Sequence, residues 1–317
     1  MHPGAPDLTE GLSMTDILIT GGAGFVGVNL AYHLLERGGF GVTVFDNEVM
    51  GDRRALPGGV RFVAGDLRDR AALSAVVAGQ EVVVHLAADT RVMDSIDNPR
   101  FNFDNNVVGS FNLLEAAREA GVRRVVAAST GGAILGEVEP PVHEGMVAEP
   151  MAPYGASKLA MEGYLSAFAG AYGLTSAALR FSNIYGPRSF HKGSVVAYFY
   201  KRLLANEPLT IYGDGSQTRD FLYIDDLVEG IARAIDSDAT GAFQLGSGRP
   251  TTVSQLIALM QRVTGLTPDI RSEPFRPGEL RATWCDISKA REAFGFAPET
   301  DLQDGLAATW DWFRSRS

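Results

Sequence analysis

The decapeptide from Ile19 to Val28, ITGGAGFVGV, constrains the fold more than any other stretch of this 317-residue sequence. A strand-like run, Asp16 to Thr20, leads into it, and a helix-like run with Phe25, Leu30, Leu34 and Leu35 leads away. Gly21, Gly22, Gly24 and Gly27 therefore fall on a strand-to-helix turn. Such a turn uses glycine to adopt positive φ, to let backbone approach a pyrophosphate, and to pack helix closely on sheet. The helix start behind it offers free N–H groups and a positive dipole end to that phosphate. A dinucleotide site also needs an acid at the end of the next strand, roughly 20 residues on, to accept hydrogen bonds from ribose hydroxyls. VTVFDN supplies one as Asp46, followed by Asn47.

Further strand-like runs (VRFVAGD, EVVVHLAA, RRVVAAST, SAALRFS) alternate with helix-like runs (AALSAVVAG, GSFNLLEAAREAG, KLAMEGYLSAFAGAYG). This alternation predicts an α/β fold with a Rossmann-like, doubly wound parallel sheet, because parallel crossovers place helices on both faces. Its ligands belong beyond the carboxyl ends of the strands. The expected division is a flexible tail over 1–13, a dinucleotide-binding domain over 14–181 that also takes segments around 220–246, and a smaller, interleaved substrate-binding lid over 182–317. Gly and Pro punctuate that second half at YGPRSFHKG, IYGDGSQTRD, GSGRPTT and EPFRPGE.

A formal net charge of −10 argues against nucleic acid as a partner. The single cysteine, Cys285, forms no internal disulfide and belongs to no zinc-binding cluster, so no metal is expected and a reducing cytosol fits. The first residues, MHPGAPDLTEGLSM, lack the basic and apolar regions of a signal peptide. No apolar run approaches the roughly 20 residues of a membrane span. A cytoplasmic protein with no membrane contact is the expectation.

Thr130 closes the run RRVVAAST, and PYGASK carries Tyr154 and Lys158. A helix starting at Pro153 puts that tyrosine and lysine, at i and i+4, on one face. An ammonium near a phenol lowers the phenol from its usual pKa of about 10, which predicts Tyr154 as a general base. Thr130 is placed to orient the same substrate hydroxyl.

Together with the glycine turn, the segments DN (46–47), GDLRD (65–69), HLAA (85–88), DNN (104–106), AST, PYGASK, LRFSNIYGP, TRDFLYIDDL and RPGE resemble the extended short-chain dehydrogenase/reductases that act on nucleotide sugars. The likeness runs from about residue 15 to 315 and is strongest to the bacterial UDP-glucose (UDP-galactose) 4-epimerase branch, where STGG follows the central strand. It implies NAD as cofactor, held by Gly21, Gly24, Phe25, Val26, Gly27, Asp46, Asn47, Asp66, Leu67, Leu86, Ala87, Ala88 and Asn106, with Tyr154 and Lys158. Thr130, Tyr154 and Lys158 would be the catalytic set. Thr130, Asn183, Lys192, Val195, Arg219, Arg276 and Thr283 would bind the substrate, with Asn183, Arg219 and Arg276 holding the sugar diphosphate. A homodimer through the helices 106–121 and 155–171 is implied as well.

Dehydratases and decarboxylases of this family carry an extra acid just after the threonine, and here Gly131 and Gly132 follow. The chemistry is therefore expected to stop at oxidation and re-reduction of one carbon, as in a UDP-hexose 4-epimerase. One departure is Leu135-Gly136, where the family often has Tyr-Gly. Thr283 is small at a position beside the sugar, and Arg188, His191 and Lys192 are expected near the sugar end, so UDP-glucuronate and UDP-N-acetylhexosamines stand beside UDP-glucose as substrates. For Lys192 the plain reading, a solvated loop lysine, is the preferred one. A reductase or dehydrogenase that releases its cofactor, and a non-catalytic NAD-binding module, remain as alternatives.

Overall fold

The structure is a computed structural model that describes residues 14–275 and 280–316. Its strands are β1 (Thr15–Thr20), β2 (Phe40–Asp46), β3 (Arg61–Ala64), β4 (Val82–His85), β5 (Arg124–Thr130), β6 (Thr175–Phe181), β7 (Asn183–Tyr185), β8 (Leu209–Tyr212), β9 (Thr218–Tyr223), β10 (Gly241–Leu245), β11 (Pro250–Thr252) and β12 (Ile270–Glu273). The helices are α1 (Phe25–Arg37), α2 (Arg70–Val77), α3 (Val92–Asp97), α4 (Pro99–Phe103), α5 (Gly109–Glu119), α6 (Pro153–Tyr172), α7 (Val195–Leu204), α8 (Ile224–Asp236), α9 (Val253–Thr264), α10 (Ser288–Phe294) and α11 (Leu302–Arg314).

Seven strands form one sheet in the order β10-β6-β5-β4-β1-β2-β3, and each neighbouring pair is parallel. The doubly wound parallel sheet expected from the alternation is thus present. Strand order reverses between β1 and β4, the switch point at which such sheets open a crevice. The period-two alternation of β1 explains how both faces are covered. Ile17 and Ile19 join a core with Leu30 and Leu34 of α1 and Leu227, Ile231 and Ile235 of α8. Leu18 turns the other way, to Leu73 of α2, Leu113 of α5 and Met161 and Leu165 of α6.

The chain leaves the sheet after β6 for β7, β8 and β9, comes back to add β10, and then supplies β11 and β12, which complete two small sheets, β11-β9-β7 and β12-β8. This second region lies beyond the carboxyl edge where β1, β2, β4 and β5 all stop. Bridges between Val142 and Cys285 and between Thr218 and Ala282 tie together segments distant in the chain.

Candidate active site

Each glycine of the opening turn meets a different steric limit. Gly21 has φ 69°, and a Cβ there would lie 2.6 Å from the Ala87 backbone. At Gly27 a Cβ would lie 2.4 Å from Gly22 Cα, so α1 can only pack this close without a side chain. Gly24 is the N-cap of α1, with no capping side chain and no acid in the first turn, which leaves the amides behind Phe25 and Val26 facing outward. Leu86 joins the same cradle, its amide donating to the Thr20 carbonyl at 3.0 Å. Ala88 follows on the same strand end.

Asp46 is buried at the end of β2. One carboxylate oxygen accepts the Ala23 amide at 3.0 Å and the other the Glu48 amide at 2.7 Å. Burial raises its pKa, and the two amides oppose that rise. A carboxylate has about four acceptor positions, so two remain for ribose hydroxyls. Asn47 donates to Asp66 at 3.1 Å, and Arg68 grips Asp66 through two nitrogens at 2.8 and 2.7 Å, which holds that carboxyl well below its usual range. Beyond Asp46, Arg53 is paired with Glu48 and Arg54 with Asp52. A side-chain-free cradle, an uncapped helix end and a carboxylate with spare acceptors fit NAD. A 2′-phosphate at Asp46 would meet a negative charge.

Under the crevice runs a buried hydrogen-bond chain. The Ser110 hydroxyl donates to the Asn106 carbonyl, so His85 donates to Ser110 through Nε2 at 2.8 Å and accepts from Thr20 through Nδ1 at 2.8 Å. Burial pushes His85 down to about 3, with the Lys158 charge adding to it, and keeps the imidazole neutral. Asn106 sits in a π-helical turn, Asp104–Val108, of the kind that recurs at functional sites. Its side chain accepts from the Asp89 amide at 2.8 Å and donates to the Asp89 carbonyl at 2.9 Å and to Ser157 at 3.1 Å. Ser157 in turn donates to the Tyr154 carbonyl at 2.7 Å. The π turn, His85 and Ser157 thus form one frame around the start of α6. Nearby, Gly109 packs so closely on Leu67 that a Cβ would lie 2.9 Å from its side chain.

Helix α6 begins at Pro153, as the sequence predicts, and the Tyr154 amide donates to Ser95 at 3.1 Å. The expected phenol activation is not present in the protein alone. Burial, reinforced by the Asp89 charge, pushes Tyr154 up to about 12. Lys158 donates to the Ala128 carbonyl at 2.8 Å, and burial pushes its ammonium down to about 8, with Glu162 opposing. Desolvation is the largest influence on both groups. Sequence reasoning also missed Glu162, which accepts from Ser129 at 2.6 Å and from Arg180 through two bonds at 2.9 and 2.7 Å. Its signal was a second i+4 step along α6 from Lys158.

Thr130 and Tyr154 face a cavity of about 340 Å³ at the carboxyl end of β5, joined by Asn183, Arg219 and Thr283 from beyond the sheet. Gly131 and Gly132 form its near wall, and a Cβ at Gly132 would lie 3.3 Å from Thr283 Oγ1. Asp220 is the one carboxylate lining it among the described residues, and it accepts from the Ser247 amide and hydroxyl, the Gly248 amide and the Cys285 amide at 2.6 to 3.1 Å. Ser182, not foreseen as a site residue, lines the cavity with a buried hydroxyl that has no partner among the described residues. Leu135 is buried in the core, and Gly136, at φ 72°, reaches the cavity in its place.

Two predicted sugar-site residues do not line this cavity. Val195 opens α7 and packs against the core, beside Ser194, whose buried hydroxyl is also without a partner. Lys192 stands over the Phe25 ring at 5.0 Å, because loop 186–193 crosses to α1. Arg188 goes the same way, stacking over Tyr32 at 4.1 Å. Arg276 lies outside the described residues. Among those described, no group of His, Cys, Asp or Glu could hold a metal ion, and no helix is long and apolar enough to cross a membrane.

The profile of the NAD dependent epimerase/dehydratase family matches residues 17–246. The UDP-glucose 4-epimerase of Mycolicibacterium smegmatis is 38% identical over 311 residues, which cover 95% of this chain and 99% of that one. The UDP-glucose 4-epimerase of Thermotoga maritima, solved with UDP-glucose, superimposes with a TM-score of 0.92 at 37% identity, covering 95% of this chain and 99% of the other. A UDP-N-acetylglucosamine 4-epimerase of Methanobrevibacter ruminantium, in complex with UDP-N-acetylmuramic acid, gives a TM-score of 0.92 at 30% identity, covering 96% and 100%. With the glycine cradle, Asp46, and the Thr130 and Tyr154 cavity on one sheet edge, these matches establish that the chain belongs to the NAD dependent epimerase/dehydratase family.

Proposed function

We propose that the protein is an NAD-dependent UDP-sugar 4-epimerase that inverts C4 of a UDP-hexose of the glucose/galactose type through a 4-keto intermediate, with Thr130, Tyr154 and Lys158 as its catalytic set. The observation that carries the reading is the cavity wall after Thr130. Two glycines stand where elimination or decarboxylation would need a second acid, and the cavity's Asp220 is committed to four donors. That leaves proton transfer at one carbon.

In this reading Tyr154 takes the proton of the sugar 4-hydroxyl while Thr130 orients that hydroxyl. Lys158, fixed by Ala128, supplies the nearby positive charge. Bound in the cradle of Gly21, Gly24, Gly27 and Asp46, NAD would supply reversible hydride transfer. Tyr154 then returns its proton to the oxygen after the ketose has presented its other face. Arg219, on the cavity wall, holds the diphosphate meanwhile, which keeps re-reduction effectively intramolecular. Arg276 and Asn183 complete that set by resemblance.

The small side chain of Thr283 on the cavity wall supports a pocket that also admits UDP-glucuronate or a UDP-N-acetylhexosamine. We assign 14–181, with the segment around 220–246, to the cofactor and the remainder of 182–317 to the sugar; β10 joining the main sheet supports this. A cytoplasmic homodimer fits the apolar surface on the two implied helices, where Tyr164 and Tyr172 are exposed and Phe111 packs edge-on against Tyr164 at 5.1 Å. The test incubates purified protein with UDP-glucose, UDP-N-acetylglucosamine and UDP-glucuronate and follows C4 configuration by NMR. Epimer formation with no net NADH is expected. Net NADH formation or consumption would instead make it a dehydrogenase or reductase.

A further inference from the structure

Loop 186–193 spans the gap between β7 and α7, yet its cations address α1. Arg188 donates to Asn29 Oδ1 at 2.8 Å, and Asn29 donates to the Pro187 carbonyl at 3.4 Å and the Phe25 carbonyl at 2.8 Å. Lys201 of α7 donates to the Lys192 carbonyl at 2.9 Å, pinning the lysine's backbone from the other side. The Lys192 ammonium is held 5.0 Å from the centroid of the Phe25 ring, at the first residue of α1.

No carboxylate or carbonyl among the described residues pairs with that ammonium. Burial alone shifts it, pushing it down to about 8, and no acidic neighbour opposes the shift. The α1 N-terminus, which Phe25 opens, is positive as well, with no acid in its first turn and no capping side chain. A half-buried cation beside a positive helix end is disfavoured by charge. An anion between them removes that repulsion. The sugar cavity offers no such role, since Lys192 does not line it.

We propose that Lys192 is a dinucleotide-binding residue whose ammonium takes a phosphate oxygen of the diphosphate lodged on the α1 N-terminus, and that it thereby fastens the lid loop to the cofactor. This rests on the NAD reading above and replaces the sugar-carboxylate role expected from the sequence. The chemistry recognised is a diphosphate anion, so the nicotinamide itself is not needed for the contact. Lys192 acts from the substrate side of the molecule on the cofactor side. A loop ordered by the dinucleotide also positions the start of α7, two residues beyond Gly193.

The test measures dissociation constants of the full chain for NAD, ADP-ribose and adenosine, in wild type, Lys192→Met and Lys192→Arg, with circular dichroism to confirm folding. Lys192→Met is expected to weaken NAD and ADP-ribose about 10- to 100-fold, the range of a charge-assisted hydrogen bond, and to leave adenosine unchanged. Lys192→Arg should stay within about threefold of wild type, since it keeps the charge. Wild-type affinity for ADP-ribose in Lys192→Met overturns the proposal, and so does an equal loss for adenosine, which marks a structural effect. Failure of the wild type to bind NAD at all would overturn the cofactor reading, a result distinct from any of these.

Discussion

The dinucleotide cradle and the sugar cavity share one sheet edge but are built by opposite means. The cradle comes mainly from one contiguous stretch, in which backbone amides and missing side chains do the recognition. The cavity draws Thr130, Tyr154, Asn183, Arg219 and Thr283 from five separate places along the chain. A site made of backbone depends on local conformation, whereas a site made of side chains depends on how distant segments meet. Substitutions should therefore separate the two.

The largest effect is expected at the junction of the two sites. Tyr154→Phe should lower kcat by about 10² to 10⁴, the usual range for a lost general base, with NAD content and melting temperature near wild type. A rate within tenfold of wild type would remove Tyr154 from the mechanism. Next comes a break confined to the cradle. Gly27→Ala places a Cβ against Gly22 Cα, and overpacking of this kind costs about 1–3 kcal/mol. Urea unfolding should show that loss, and the purified variant should carry less NAD. If it is as stable as wild type, the contact between α1 and the turn is looser than the structure shows.

The cavity should respond without the cradle. Thr283→Tyr narrows the space beside Gly132, so kcat/KM for UDP-N-acetylglucosamine and UDP-glucuronate should fall about tenfold relative to UDP-glucose, within the range of a local pocket change. NAD content should not move. An unchanged substrate ratio would show that residue 283 does not face the sugar.

The smallest effect is in pH. Lys158 is lowered by burial to about 8 in the folded protein against 10.5 as its ordinary value. Between those values the unfolded chain binds a proton that the folded one does not, so stability rises with pH. Measured in cofactor-free protein between pH 8 and 10, wild type should gain stability relative to Lys158→Met. A flat difference would mean that Lys158 is solvated.

The same contrast decides what could be read in the sequence. Gly21, Gly24 and Gly27 and the strand-end Asp46 announce themselves because the limits on them are local: a positive φ, a close backbone approach, a strand that stops. The order of strands follows from the βαβ alternation. Tyr154 and Lys158 are visible as an i, i+4 pair, but the direction of their titration is not. Sequence shows the lysine beside the phenol and cannot show Asp89 or the depth of burial, and these dominate. Arg180 comes under Glu162 only through the register of β6 on β5, in which Ser129 lies opposite Arg180. Lys192 does not line the cavity because its loop follows Asn183 in the chain and only in space turns back to α1. Asp220 lay inside a recognised motif with no role attached, since its donors come from residues 247, 248 and 285.

The wall formed by Gly131, Gly132, Ala133 and Gly136 has a kinetic meaning beyond the acid it lacks. An intermediate that must show both faces to the same hydride site has to swing between two poses, and every directional contact to the moving ring adds friction to that swing. Glycine and alanine offer the ring no side-chain hydrogen bonds along this stretch of wall. The wall then acts as a bearing, with the load carried at the diphosphate end. A polar side chain introduced there would slow reorientation of the ring before it altered binding of the nucleotide.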